Sequence, residues 1–173
     1  LNPKGEILST KVIAGNKLIN EKNCSVFQPI WTEQDELVVA EDSSGWWNLI
    51  IASSTEKSPK EFHWKRPWPI LAEMGLPQWV CGMSINAIAG NKLISAICEN
   101  GIFRLITLSR EGFISSIDQP FDDFEAIHAT KDKVVGIASN SLIGQGLLEL
   151  DLTNGNWDHT PVIKNSVSDK DIS

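Results

Sequence analysis

The sequence predicts an all-β fold, a partial β-propeller of about three four-stranded antiparallel blades plus a remnant of a preceding blade. A block of glycine turns and short apolar strands recurs along the chain, starting at Gly45, Gly101 and Gly144. The first two copies start 56 residues apart and the last two start 43 residues apart. A period in the low forties made of short strands and turns is typical of propeller blades.

A second repeat supports the same division. Leu37, Leu93 and Val134 each lie in an apolar run that follows a polar turn, with spacings of 56 and 41 residues. The surplus of 13 residues in the first interval of the glycine block equals the length of the Pro-rich stretch 65–77, which we interpret as an insertion. Two separate patterns therefore agree on one blade register.

Each repeat divides into four predicted strands. The breaks between them contain pairs such as Ser-Gly, Asn-Gly and Glu-Gly, which supply the positive φ that tight hairpins need. Such breaks predict antiparallel meanders. The predicted strands are 26–31, 36–41, 46–52 and 61–64 in the first blade, 84–89, 92–98, 102–107 and 113–117 in the second, and 124–129, 133–138, 147–152 and 157–160 in the third.

These strands divide the chain into six segments. The predicted segments are a remnant of a preceding blade at 1–20, blades at 21–64, 78–119 and 120–162, the Pro-rich insertion at 65–77, and a linker or disordered tail at 163–173. One heptapeptide, 13–19, is identical to 88–94, but the offset of 75 residues fits neither one blade nor two. We interpret the identity as two unrelated hairpin turns.

The blade count predicts that the chain is part of something larger. Propellers close with four to eight blades, so three blades and a remnant would leave two flat blade faces uncovered. We expect either a longer parent protein or self-association through the open blade faces. Leu1 opens the chain without a Met and without a charged and apolar leader, so we expect a processed or excised chain.

Composition excludes several classes of partner. The formal net charge of −7 and the lack of a basic stripe argue against nucleic-acid binding. The longest apolar runs have the length of strands, so no membrane partner is expected. Three widely spaced cysteines, Cys24, Cys81 and Cys98, favour unpaired thiols in a reducing, cytoplasmic compartment, with Cys81 and Cys98 buried in strands.

Two runs of the sequence resemble a known family. Gln28-Pro29-Ile30-Trp31, followed by Gly45-Trp46-Trp47-Asn48-Leu49, is similar to the propeller of the prolyl oligopeptidase family of serine peptidases, in its dipeptidyl-aminopeptidase and acylaminoacyl-peptidase-like branch. The run 72–84 resembles a further stretch of that branch, and the resemblance covers roughly Val12 to Gly155. It implies a propeller that gates and filters peptide substrates for a separate α/β-hydrolase domain of the same parent chain, which would carry the Ser, Asp and His.

The chain itself shows no catalytic pattern. A nucleophile elbow needs Gly-x-Ser-x-Gly, and the nearest match, at Ser84, lacks the second glycine and precedes a strand. We therefore interpret Ser84 as a strand-entry residue. The three histidines, His63, His128 and His159, have no Cys or carboxylate at ligand spacing. We predict no catalytic residue, no metal ligand and no cofactor in this chain.

The insertion 65–77 is the best candidate for a functional segment, because recognition residues often lie on loops that leave a rigid scaffold. We hypothesise that it lies at a propeller rim or a domain interface. There Glu73 would gate substrates by meeting a peptide amine, and Trp68 would stack on the substrate. The alternative is that Trp68 and Leu71 fill a gap between two blades.

Two functions are consistent with these patterns. The first is a non-catalytic propeller segment of a prolyl-oligopeptidase-like serine peptidase. The second is a TolB-like or repurposed propeller scaffold that binds protein partners and has no peptidase activity. A Gly-x-Ser-x-Gly elbow, followed by Asp and His, in the parent protein would favour the first.

Overall fold

The computed structural model describes residues 2–19, 22–55, 58–77, 79 and 81–162. This part of the chain forms strands and turns, and the predicted tail 163–173 lies outside it. The strands are β1 (Asn16–Ile19), β2 (Lys22–Cys24), β3 (Val26–Trp31), β4 (Glu36–Glu41), β5 (Asn48–Thr55), β6 (Ser58–Lys65), β7 (Asn86–Ala89), β8 (Lys92–Glu99), β9 (Ile102–Leu108), β10 (Ile114–Ser116), β11 (Asp123–Ala129), β12 (Lys133–Ser139), β13 (Gly146–Asp151) and β14 (Trp157–Pro161).

Three four-stranded antiparallel sheets make up most of the fold. Strands β3 to β6 form blade 1, β7 to β10 form blade 2, and β11 to β14 form blade 3, each paired in chain order. The predicted fold class, an all-β partial propeller, is confirmed. Within the described residues there is no helix of the length and hydropathy that a membrane span requires.

The blades pack face to face through apolar side chains. Val38, Ala40 and Leu49 of blade 1 belong to one buried cluster with Leu93 and Ile97 of blade 2. A second buried cluster joins the other face of blade 2 to blade 3, and includes Ile94, Ala96, Leu105, Phe124, Val134 and Leu148. The central strands of blade 2 are therefore covered on both faces, as stacked sheets require.

The opposite face of blade 1 is covered by the N-terminal part of the chain. Leu37, Val39 and Ile50 are 4%, 3% and 0% exposed, and Ile13 packs against this cluster together with other residues that precede β4. The indole Nε1 of Trp64 also donates a hydrogen bond to the Ile13 carbonyl, at 3.1 Å. Within the described residues this N-terminal segment therefore covers the face of blade 1 that points away from blade 2.

The repeated heptapeptide adopts two different structures. In 88–94 its glycine lies in the turn between β7 and β8, whereas in 13–19 its glycine precedes β1. Strand β1 instead pairs antiparallel with β2, with Ile19 opposite Lys22. The expectation of a hairpin turn at Gly15 is wrong, because pairing partners rather than the local sequence decide where each strand starts.

Candidate functional site

The long connection between blades 1 and 2, residues 66–85, is bonded to both blades, and we call it the interblade connection. The Glu73 N–H donates to the Cys98 carbonyl and the Cys98 N–H donates to the Glu73 carbonyl, both at 2.9 Å. One residue further, the Met74 N–H donates to the Trp47 carbonyl at 2.6 Å. The connection thus makes a short strand-like contact with β8. It is also bonded to Trp47, which lies just before β5 of blade 1.

Trp68 fills the space between the two blades. Its side chain is 1% exposed and belongs to the cluster of Val38 and Leu93, and its Nε1 donates to the Ser109 carbonyl at 2.6 Å. A ring buried in this way is not accessible for stacking on a substrate, so that hypothesis is corrected in favour of a packing role. Leu71 is 76% exposed, and the idea that it fills the same gap is wrong.

Glu73 is half-buried and faces blade 1. Its Oε2 accepts a hydrogen bond from the Trp47 N–H at 2.8 Å, while its backbone is paired with Cys98. Glu73 therefore helps to fix the Trp46-Trp47 turn against the interblade connection. Its predicted contact with a peptide amine stays a prediction.

Two buried asparagines hold the interblade connection from either side. The Asn48 Nδ2 donates to the Ala72 carbonyl at 3.1 Å, and its Oδ1 accepts from the Ile70 N–H at 3.1 Å. The Asn86 Nδ2 donates to the Met74 carbonyl at 2.9 Å. Because an extended chain offers N–H and C=O groups side by side, a primary amide can satisfy both kinds of group.

Close packing also constrains Gly75 of this connection. A Cβ atom at Gly75 would lie 2.5 Å from Cζ of Phe27 and 3.0 Å from Cβ of Trp47. Phe27 and Trp47 are themselves in edge-to-face contact, with ring centroids 4.5 Å apart. The backbone of the connection therefore approaches blade 1 as closely as a glycine allows.

Ser84 joins blade 2 to blade 3. The Ile127 N–H donates to the Ser84 carbonyl at 2.8 Å, and the Ser84 Oγ donates to the Ile127 carbonyl at 2.9 Å. A bulge in β11 at this point, where Ala126 has φ of 50°, turns these backbone groups away from β12. The interpretation of Ser84 as a strand-entry residue agrees with this structural role.

The innermost strands of the three blades, β3, β7 and β11, line a common concave surface, which we call the inner wall. Residues 28–31, 86–88 and 127–129, with Ser84, line a cavity of about 390 Å³ there. None of these lining residues is Asp, Glu, Lys or Arg, and His128 is exposed. Sequence reasoning missed the inner wall, because only the packing of separate blades brings these residues together.

The cysteines and the metal-binding residue types form no reactive centre in the described residues. None of the three cysteines is in a disulfide, and Cys81 is exposed, so its expected burial is wrong. Burial, and then the charges of Glu41 and Asp42, raise the pKa of the Cys24 thiol, which makes its thiolate less available. No three His, Cys, Asp or Glu side chains of the described chain lie together as a metal site would need.

The fold and the inner wall define a class of protein, a segment of a β-propeller whose innermost strands line a shared surface. The chain matches no protein-family model, and a search of the curated proteins finds no relative. Similarity is found among solved structures, and it concerns peptidases.

A puromycin-hydrolyzing peptidase of Mycobacterium tuberculosis shares 24% identity with this chain, with a TM-score of 0.69 over 79% of this chain and 20% of the peptidase. A puromycin hydrolase shares 21% identity, with a TM-score of 0.70 over 82% and 22%. A prolyl endopeptidase structure shares 12% identity, with a TM-score of 0.60 over 83% and 20%. The chain thus has the fold of part of these peptidases and spans about a fifth of their length, as the resemblance in its sequence implies.

Proposed function

We propose that this chain is a non-catalytic propeller segment that gates and filters peptide substrates for a separate α/β-hydrolase domain of the same protein. The observation that carries the proposal is the cavity on the inner wall, which is lined from β3, β7 and β11 without any Asp, Glu, Lys or Arg, in a fold shared with part of three peptidases. The absence of charged residues from the lining of this cavity suits passage of a peptide chain without strong binding to it.

The proposal also rests on the hydrogen bonds that hold the strands of the inner wall together. Backbone and side-chain hydrogen bonds at Ser84 and Asn86, two residues that line the wall, join the three blades there. A rigid wall limits access by size, because widening it would require these part-buried hydrogen bonds to break. Peptides with bulky or folded structure would be excluded and extended ones admitted.

A bulky residue on the inner wall is expected to affect long substrates selectively. In the full natural protein, His128→Trp should lower kcat/KM for a peptide of about ten residues by about tenfold, which corresponds to about 1.4 kcal/mol. The kcat/KM for an aminoacyl arylamide should stay unchanged, because so small a substrate occupies only a small part of the passage. Steady-state kinetics with both substrates give the two kcat/KM values, and their ratio in the variant is compared with the ratio in the natural protein.

The matched control is His63→Trp, since His63 is also exposed on a strand but lies on β6, the outermost strand of blade 1. This change should leave both values as they are. Equal losses for the long and short substrates in His128→Trp would contradict filtering. A natural protein without peptidase activity, but with protein partners bound at the inner wall, would support the scaffold function instead.

Glu73 gives a second test of substrate selection. If its carboxylate meets a peptide amine, Glu73→Gln should lower kcat/KM for peptides with a free N-terminus and leave N-acetylated peptides unaffected. Glutamine keeps an oxygen acceptor for the Trp47 N–H but removes the charge, so the change separates selection from folding. Unchanged selectivity between the two peptide sets would show that Glu73 does not contribute to the proposed substrate gating.

A further inference from the structure

Two asparagines of this chain precede a glycine, Asn100 and Asn154, and both lie in exposed hairpin turns. The first Asn-Gly pair forms the two-residue turn between β8 and β9, and the second lies in the turn between β13 and β14. In an Asn-Gly pair the backbone nitrogen of the glycine can reach the side-chain amide easily, because glycine has no Cβ to hinder the approach. The two turns can therefore be compared as sites of the same reaction.

This reaction converts asparagine to an acid with water as the only co-reactant. The glycine nitrogen attacks Cγ of the asparagine and forms a five-membered succinimide ring, while the side-chain nitrogen leaves as ammonia with the proton of the glycine N–H. Water then opens one of the two C–N bonds of the ring. One opening gives aspartate. The other gives isoaspartate, in which the main chain runs through the side chain and is longer by one carbon atom.

The reacting groups of the first turn are not held by hydrogen bonds. Neither the Gly101 N–H nor the Asn100 side-chain amide has a hydrogen-bond partner among the described residues. The backbone has φ of 54° at Asn100 and 82° at Gly101, as a two-residue hairpin turn requires, and the pairing of Glu99 with Ile102 closes the turn. Rotation of the Asn100 side chain toward the glycine nitrogen therefore breaks no hydrogen bond of either reacting group.

The second turn holds both of its reacting groups. The Gly155 N–H donates to the Asp151 carbonyl at 2.9 Å, so the attacking nitrogen is already bonded. The Asn154 Oδ1 accepts a hydrogen bond from the Asn156 N–H at 2.8 Å. Attack in this turn requires both hydrogen bonds to break, and each of them opposes the rearrangement.

The first turn also lies beside the contact that joins the interblade connection to blade 2. Cys98, two residues before Asn100, exchanges two backbone hydrogen bonds with Glu73. An isoaspartate at position 100 adds a carbon atom to a two-residue turn, so Glu99 and Ile102 no longer remain opposite each other. The end of β8 then loses the register that places Cys98 against Glu73.

We propose that Asn100 is a site of spontaneous modification, at which isoaspartate forms and loosens the contact between β8 and the interblade connection, whereas Asn154 is protected by its turn. This inference does not depend on the proposed peptidase function, because it rests on the chemistry and the hydrogen bonds of the two turns.

Peptide mapping of the full natural protein after prolonged incubation at neutral pH tests the site. Trypsin separates the two asparagines, because Arg104 and Lys133 lie between them. Mass spectrometry follows the conversion of each amide to an acid, and enzymatic methylation marks isoaspartate. Asn100 should react about tenfold faster than Asn154, since two hydrogen bonds protect only the latter. In urea the two rates should become similar, because both residues precede glycine.

Three results would overturn the assignment of the site. These are equal rates in the folded protein, a faster reaction at Asn154, and a rate difference that persists in urea, which would show that the flanking sequence and not the fold causes it.

Amide hydrogen exchange tests the effect on the contact. In the isoaspartate form the amide hydrogens of Cys98 and Glu73 should exchange about tenfold faster than in the unmodified protein. Asn100→Asp adds the charge but no carbon atom, and should leave both exchange rates unchanged. Asn100→Gly keeps a turn-forming residue without the amide, and should keep slow exchange after the same incubation. Equal exchange in the isoaspartate form and in Asn100→Asp would contradict the loosening.

Discussion

Replacing Trp68 by alanine is expected to lower the free energy of unfolding by about 3–5 kcal/mol. The side chain is 1% exposed and fills the space between blades 1 and 2, so its removal leaves a cavity that the two sheets can close only in part. The change also leaves the Ser109 carbonyl without its indole donor. Urea unfolding of the full natural protein, followed by circular dichroism, measures the loss.

Trp79→Ala is the matched control, because Trp79 lies in the same interblade connection and is 88% exposed. It should change the free energy of unfolding by less than about 0.5 kcal/mol. Trp68→Phe should fall between the two, since it keeps most of the apolar volume and loses the N–H. A cost for Trp68→Ala no larger than that for Trp79→Ala would contradict its place between the blades.

Replacing Asn86 by alanine is expected to cost about 2–4 kcal/mol, because its amide is 2% exposed and serves several partners at once. Its Oδ1 accepts from the Ser95 Oγ at 2.6 Å, and its Nδ2 donates to the Met74 carbonyl at 2.9 Å. The Gln28 side-chain amide lies 2.8 Å from the same Nδ2. Alanine leaves the buried Ser95 hydroxyl and the buried Met74 carbonyl without this amide, and the same unfolding measurement reports the cost.

Asn91→Ala provides the comparison, since Asn91 is exposed in the turn that follows β7. It should cost less than about 0.5 kcal/mol. Asn86 links blade 1, the interblade connection and blade 2, so its loss should also make the unfolding transition broader if the blades separate. Equal costs at positions 86 and 91 would show that Asn86 does not connect these parts.

The strands of the three blades could be predicted from the sequence, because their signal is local. Alternating apolar runs and glycine turns lie within a dozen residues of each other, and each predicted strand in 26–160 overlaps an observed one. The Pro-rich stretch 65–77, which we interpret as an insertion, lies almost wholly in the connection between β6 and β7. The burial of Trp68 fits one of the two interpretations that its sequence allowed.

The contacts between blades could not be predicted in the same way. Gln28 and Asn86 are 58 residues apart in sequence, and Ser84 and Ile127 are 43 apart. The sequence around a polar residue does not show whether its side chain will contact water or form a hydrogen bond with a carbonyl of another sheet. The particular residues by which the segment around Ile13 covers blade 1 could not be predicted for the same reason, because they depend on long-range apolar packing.

The hydrogen bond from the Ile127 N–H to the Ser84 carbonyl gives the most direct test that separate four-stranded sheets stack with their innermost strands side by side. A through-hydrogen-bond scalar coupling between the Ile127 amide nitrogen and the Ser84 carbonyl carbon can be measured by NMR in the isotope-labelled natural protein. Stacked blades require a detectable coupling between these two nuclei. A coupling that instead joins the Ile127 nitrogen to a carbonyl of β12, or an Ile127 amide that exchanges as fast as an exposed turn, would contradict the stacking.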